Sequence, residues 1–322
     1  MAAKIMQHAP LFRSWVGELQ MRTEKKFTPK VLARFQREGR GLGTYADYVP
    51  WHRVSRSDPS SHGRSHLLVW RQRQRELLSD GEWTGLNFAS MLPGLVDLVE
   101  QFPINQEDAA HELSRWQVGI GGQIYPGTQT LARQMGIKHP VATDANETIM
   151  WTSTTDLLLV LRMPGARKMS LLAVSCKPSE DIPPRAKQLL LLEKKYWEAR
   201  GVTWLLITPA QYDKRVGLTL RSTSAWGLAE PASEAELDIA VHIVRSMPFH
   251  PYSNVIKRLT DVFGGTEQHV YLAQRALWQS VWRGKLPLDL RRGWRPHLPL
   301  TLLPMTDFLA LNPIASRRSA CL

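Results

Sequence analysis

Cysteine is scarce: Cys176 and Cys321 are the only two in 322 residues, and they form no Cys-x-x-Cys pair. That excludes a disulfide framework and gives no sign of a zinc site. Long apolar runs are missing too; the longest fall far short of the roughly 20 residues a membrane helix needs. The N-terminus has no apolar signal core, so a soluble cytoplasmic protein is expected. Acidic residues are outnumbered, 29 Asp and Glu against 41 Lys and Arg, for a net charge of +12 and a pI of about 9.9. A chain this basic usually meets a polyanion, nucleic acid first; a basic surface kept for solubility is the plain alternative. The glycine-rich run Gly39-Arg40-Gly41-Leu42-Gly43 lacks the Gly-Lys-Ser/Thr of a phosphate-binding loop. It reads as a flexible basic loop, with Arg37 and Arg40 available to a DNA backbone. No internal repeat or low-complexity tract is present. The 12 tryptophans are scattered, which suits core and interface use better than one stacking platform.

What is present centres on Thr154 to Lys177. Two apolar runs, Thr154 to Leu161 and Ser170 to Cys176, flank a Pro164-Gly165 turn, the pattern of an antiparallel hairpin with a buried face. Asp156 precedes the turn by about ten residues and Cys176 follows it by about ten, so pairing brings Asp156 beside Ser175, Cys176 and Lys177. Ser175 and Lys177 share one face of their strand and Cys176 takes the other. An acid and a lysine at one edge of a hairpin suit metal-dependent phosphodiester cleavage, in which a carboxylate holds Mg²⁺ and the lysine stabilises developing charge or orients water. A surface salt bridge is the bland reading of the same pair.

Along the chain, Leu11 to Leu19 has the pattern of a short amphipathic helix. Thr28-Pro29 opens another that runs to Glu38. A polar loop spans Ser55 to Ser65. His66 to Trp70 and Glu76 to Leu78 read as short strands around a basic turn holding Arg71, Arg73 and Arg75, either a solvated tip or a phosphate contact. Ser79 and Glu82 form a capping box for a helix to about Met91, so Glu82 has both a capping job and a metal-ligand job open to it. Leu95 to Phe102 is a strand, Gly127 to Met135 and Pro183 to Arg200 are helices, and Thr203 to Ile207 is a buried strand. Strands and helices alternating from 66 to 207 argue for a mixed β-sheet flanked by helices, an α/β fold. After Pro209 the pattern changes to three helices, Ser233 to Ser246, Tyr252 to Phe263 and Thr266 to Trp282, then a basic, proline-containing tail. Helices followed by short extended pieces suit a winged-helix-like domain. The division expected is a catalytic domain over 1–212 and a helical C-terminal, winged-helix-like partner-binding domain over 213–322, with a chain ending near Tyr212 folding by itself.

Many of these blocks, in order, resemble TnsA, the endonuclease subunit of heteromeric cut-and-paste DNA transposons. The resemblance covers roughly 30 to 208. It rests on Glu38-Gly39-Arg40-Gly41, Asp47-Tyr48-Val49-Pro50-Trp51, Ser61-His62-Gly63-Arg64-Ser65-His66, Leu77-Leu78-Ser79-Asp80 with Glu82, and Glu100-Gln101-Phe102-Pro103. It continues through Gly136-Ile137-Lys138-His139-Pro140-Val141, Ser153-Thr154-Thr155-Asp156, Lys177-Pro178, Glu193-Lys194-Lys195-Tyr196-Trp197 and Trp204-Leu205-Leu206-Ile207-Thr208. It implies a restriction-endonuclease-like fold and a divalent-metal site: Mg²⁺, with Mn²⁺ as substitute. Its catalytic acids fall on Glu82 and Asp156, its lysine on Lys177, and a supporting glutamate on Glu193. The metal ligands it implies are Glu82 and Asp156; because a serine is a poor Mg²⁺ ligand, the backbone carbonyl of Cys176 at the same hairpin edge is expected to join them. Two departures stand out: Ser175 occupies a position where the family carries glutamine or glutamate, and residues 105 to 126 have no counterpart.

The function so implied is cleavage of the non-transferred strand at the 5′ ends of a transposon. Its partners would be double-stranded end DNA, a TnsB-type transposase and a TnsC-type AAA+ ATPase, in a bacterial cytoplasm and on the nucleoid when DNA is bound. Arg40, Arg64, Arg71, Arg73 and Arg75 are the DNA-binding candidates. The alternative is a non-catalytic nuclease-fold subunit that docks DNA and partners, made plausible by Ser175. Intact Glu82, Asp156 and Lys177 tell against it.

Overall fold

The computed structural model describes residues 27–55, 58, 64–145 and 147–322. The expected helix at Leu11 to Leu19, much of the polar loop and the Ser61-His62-Gly63 block lie outside them. In chain order the elements are α1 (Pro29–Arg37), β1 (His66–Trp70), β2 (Arg73–Leu77), α2 (Asp80–Ser90), β3 (Leu95–Pro103), β4 (Ala109–Ala110), β5 (Ile124–Tyr125) and α3 (Thr128–Gln134). Then come β6 (Val141–Thr143), β7 (Thr148–Met150), β8 (Thr154–Leu161), β9 (Ser170–Cys176), α4 (Pro184–Ala199) and β10 (Thr203–Ile207). The chain finishes with α5 (Lys214–Gly227), α6 (Glu234–Ser246), α7 (Tyr252–Phe263), α8 (Glu267–Trp282) and α9 (Met305–Ala310).

The central sheet has the order β10-β9-β8-β3 and is mixed: β10 and β9 are parallel, the other pairs antiparallel. The β8–β9 hairpin turns at Gly165, which takes φ +79°, and its register sets Leu157 opposite Val174. Alternation along the hairpin serves two cores. Leu157, Leu159, Leu172 and Val174 face Leu86 and Phe88 of α2 and the C-terminal helices. Leu158, Val160, Leu171 and Ala173 face Leu190, Tyr196 and Trp197 of α4. Fully burying each such side chain contributes about 1.5–3 kcal/mol. Two-sided burial is why these strands read as unbroken apolar runs. Gly85 lets α2 lie close on the sheet: a Cβ there would meet Cys176 Sγ at 2.9 Å and Leu157 Cδ1 at 3.1 Å.

Some expectations need correcting. The basic turn is only Arg71-Gln72, both with positive φ, which is what a two-residue hairpin needs; Arg73 and Arg75 lie in β2. The Gly39–Gly43 run is an ordered turn, held by Gly41 N–H to Val49 O at 2.6 Å and Val49 N–H to Leu42 O at 3.0 Å. Residues 105–126 brace the α4 face: Glu112 accepts from Arg200 Nε at 2.8 Å and from the Tyr196 hydroxyl, and Leu113 and Trp116 join the second core. Helix α5 escaped the sequence reading. Most tryptophans are buried, as expected.

The C-terminal helices share the core on the α2 face, from Leu86 and Leu157 through Val216, Leu259 and Trp278 to Ile314. Trp282 Nε1–H donates to Ser90 Oγ at 2.9 Å and Asn312 Nδ2–H to Phe88 O at 2.8 Å. The chain's end also covers the free edge of β10, with Leu206 N–H donating to Ser319 Oγ and Ala320 N–H to Leu206 O. The core thus continues across Tyr212, near which the sequence reading expected a chain to end and fold by itself.

Candidate active site

Glu82 sits in the first turn of α2, where Ser79 Oγ caps the Glu82 N–H at 3.2 Å. The carboxylate reaches back to the Leu78 N–H at 2.8 Å, one residue earlier than a standard capping box, so its capping role exists. A second donor comes from outside the helix: Gln101 Nε2–H to Glu82 Oε2 at 2.7 Å. Glu82 is 6 % exposed. Burial, then the charge of Asp156, push its carboxyl up to about 8.

Asp156 and Lys177 meet as the hairpin pattern predicts. Cys176 N–H donates to Asp156 Oδ2 at 2.7 Å and Lys177 Nζ to the same oxygen at 3.1 Å. Burial alone would lower the Lys177 ammonium; the carboxylates of Asp156, Glu193 and Glu82 override it and hold it above its usual value. Lys177 is fixed at the end of the β9–β10 ladder by its N–H to Ile207 O at 2.9 Å. The Cys176 thiol is buried and pushed well up, so its side chain is an inert part of the core.

Glu193 comes from α4 on the other face. Its Oε1 accepts from Thr155 Oγ1 and Ser175 Oγ, each at 2.7 Å. Trp197 Nε1–H in turn donates to Thr155 Oγ1, and Trp204 Nε1–H to Ser175 Oγ. Burial, then Asp156, push Glu193 up to about 7. Ser175 is 1 % exposed and links Glu193 to the sheet. Ser175→Ala is expected to lower stability by about 1 kcal/mol and the cleavage rate by less than about tenfold, because Thr155 still holds Glu193. A variant that melts like the parent yet is as inactive as Asp156→Ala would place the serine at the reacting centre.

A pH dependence follows from the two glutamates. Ordinary carboxyls, as in the unfolded chain, titrate near 4.5, while Glu82 and Glu193 are raised to about 8 and about 7. Between those values the folded protein binds more protons than the unfolded chain, so stability falls as pH rises from about 4.5 to about 8. Without divalent cation, the melting temperature of the parent should drop between pH 5 and 8 by several degrees more than that of Glu82→Gln. Parallel curves for the two proteins would contradict the raised Glu82.

Of the five arginines read as DNA candidates, three have partners inside the protein. Arg73 binds Glu100 through both oxygens at 2.6 and 2.7 Å, and Arg75 donates to Leu98 O and Glu100. Arg40 donates to Glu38 and Asp58, each at 2.7 Å, and lies over the Phe35 ring. All three are buried, with their donors directed to partners within the protein. A buried arginine with a carboxylate partner looks like an exposed one in sequence, and only β3's position supplied Glu100. Arg64 and Arg71 are exposed. Sequence reasoning did not single out Gln101; its one signal was the Glu100-Gln101 polar pair inside an apolar strand.

Among the described residues no three His, Cys, Asp or Glu side chains gather closely enough to hold a metal by themselves. The oxygen donors do suit a hard divalent cation. The hydrogen bonds to Asp156 fall on Oδ2, leaving Oδ1, and Glu82 Oε1 takes only a long bond from Ser79 Oγ at 3.3 Å. Main-chain carbonyl and water would complete such a shell.

A mixed α/β protein with two acids and a lysine drawn together at one end of its central sheet is the class this fold and site define. Within it, the chain is TnsA-like: it is 26 % identical over 247 residues to the transposon Tn7 transposition protein TnsA of Escherichia coli, covering 74 % of this chain and 79 % of that protein. No protein-family model matches the chain.

Proposed function

We propose that this chain is a TnsA-like, divalent-metal-dependent DNA endonuclease that cuts the non-transferred strand at the 5′ ends of a transposon. The observation that carries the reading is the Asp156–Lys177 contact at 3.1 Å with Glu82 buried close by, in a chain similar to a transposition protein. The mixed sheet and its flanking helices are read as restriction-endonuclease-like, and residues 213–322 as a winged-helix-like partner-binding module that shares the core. The partners proposed are double-stranded end DNA, a TnsB-type transposase and a TnsC-type AAA+ ATPase. No helix among the described residues is long and apolar enough to cross a membrane; a place on the nucleoid is part of the proposal.

Glu82, Asp156 and the Cys176 carbonyl would hold Mg²⁺, or Mn²⁺ in its place. Such an ion supplies charge at the scissile phosphate and a more acidic water. The protein's own groups do the rest. Lys177, kept charged by three carboxylates, is held at 3.1 Å from Asp156 and can stabilise charge developing on a phosphate oxygen. Glu193, buried and raised to about 7, is a supporting group that can take a proton near neutral pH. Arg64 and Arg71, both exposed, remain candidates for DNA phosphates, as the net charge of +12 favours.

The test is a strand-resolved cleavage assay on transposon-end DNA with the transposase, the ATPase and Mg²⁺ or Mn²⁺. A cut at the 5′ ends that depends on this protein is expected. End binding without any cut would favour the scaffold reading instead.

A further inference from the structure

We infer that Gln101 is a positioning residue for Glu82, aimed by a left-handed backbone turn near the C-terminal end of β3. The inference rests on the reading of Glu82 as a metal-facing acid. Gln101 has φ +52°, a region where a residue with a side chain is strained. It lies between Glu100, which pairs with Leu157, and Phe102, which pairs with Thr155, so it stands opposite Asp156 in the ladder. The turn upsets the strand's alternation: Val99 and Phe102, three apart, both enter the core on the α4 side.

The surroundings hold this conformation from both directions. The Gln101 carbonyl accepts from the Tyr48 hydroxyl at 3.2 Å and from the Trp51 N–H at 3.3 Å. The preceding Glu100 is clamped by Arg73 and by the Glu76 N–H at 3.1 Å. The side chain, 1 % exposed, ends on Glu82 Oε2 at 2.7 Å. Oε2 thereby receives two N–H donors, from Gln101 and Leu78, while Oε1 takes only the longer bond from Ser79 Oγ at 3.3 Å.

The chemistry explains an amide here. Glutamate would add another anion beside Glu82 and Asp156. Lysine or arginine would neutralise Glu82 and compete with a cation. A neutral donor orients the carboxylate and leaves its charge in place. The β3 turn thus ties the β2 ion-pair network and the Tyr48–Trp51 segment to one oxygen of the site.

The test uses Gln101→Asn and Gln101→Gly in the full chain. Both residues tolerate positive φ, and neither reaches Glu82 as glutamine does. Both variants should melt at or near the parent temperature. Calorimetric Mn²⁺ affinity should fall by roughly tenfold, kcat should fall with it, and KM for DNA should stay unchanged. In a Glu82→Ala background the same substitutions should not change Mn²⁺ affinity further. A folded Gln101→Asn that binds Mn²⁺ like the parent overturns the positioning role alone. A parent protein that binds no Mn²⁺ overturns the metal reading of the site and this role with it.

Discussion

Asp156→Ala is expected to leave a folded protein that no longer cuts. The carboxylate sits at a strand end and fills no core volume; its Oδ2 accepts two hydrogen bonds, from Cys176 N–H and Lys177 Nζ. Losing them should lower stability by about 1–3 kcal/mol. The effect on rate should be far larger, on the order of 10³-fold or more, because one change removes a proposed cation ligand and frees the lysine from its fixed place. Asp156 also raises Glu82 and Glu193, so its removal should let both titrate closer to their ordinary values. Glu82→Ala should be equally inactive, although as a helix cap Glu82 is worth only about 1 kcal/mol. Strand-specific cleavage, Mn²⁺ calorimetry and melting curves of the two variants decide the matter. Parental cleavage by a folded Asp156→Ala protein would remove this carboxylate from the active site.

Ending the chain at Tyr212 is expected to unfold it or leave a loosely packed state. The cut would uncover Leu86, Leu157, Leu159, Leu172 and Val174, whose core partners include Val216, Leu220, Leu277 and Trp278. At about 25 cal/mol per Å² of apolar surface, exposing several such residues exceeds the 5–15 kcal/mol by which domains are usually stable. The tethers from Trp282 to Ser90 and Asn312 to Phe88 would go too, and both lie on α2, the helix that carries Glu82. Circular dichroism and thermal melting of residues 1–212 provide the measurement. A cooperative transition near that of the full chain would mean that the region before 213 holds its own core.

Legibility followed the range of the forces. The β8–β9 hairpin, the Ser79 cap, the Thr28-Pro29 helix start and most C-terminal helices were readable because periodicity, caps and turn residues act over a few neighbours. The Asp156–Lys177 contact was readable for the same reason, since hairpin register follows from the turn. Helix α5 was missed; its Gly217 and several serines and threonines weaken helix propensity, and tertiary packing of Val216 and Leu220 overrides that.

Sequence alone therefore determined the mixed α/β class and the hairpin edge at which Asp156 and Lys177 meet, both of which depend on local pattern. Tertiary structure alone decided which charges are internal. Arg73 and Arg75 became core residues only because β3 brings Glu100 to them. Ser175 became a link to Glu193 only because α4 crosses the sheet above it. Gln101 acquired Glu82 as a partner only through the left-handed turn in β3 and the approach of α2. A buried polar group needs a partner, and that partner is set by long-range packing between elements distant in the chain, which no local pattern encodes.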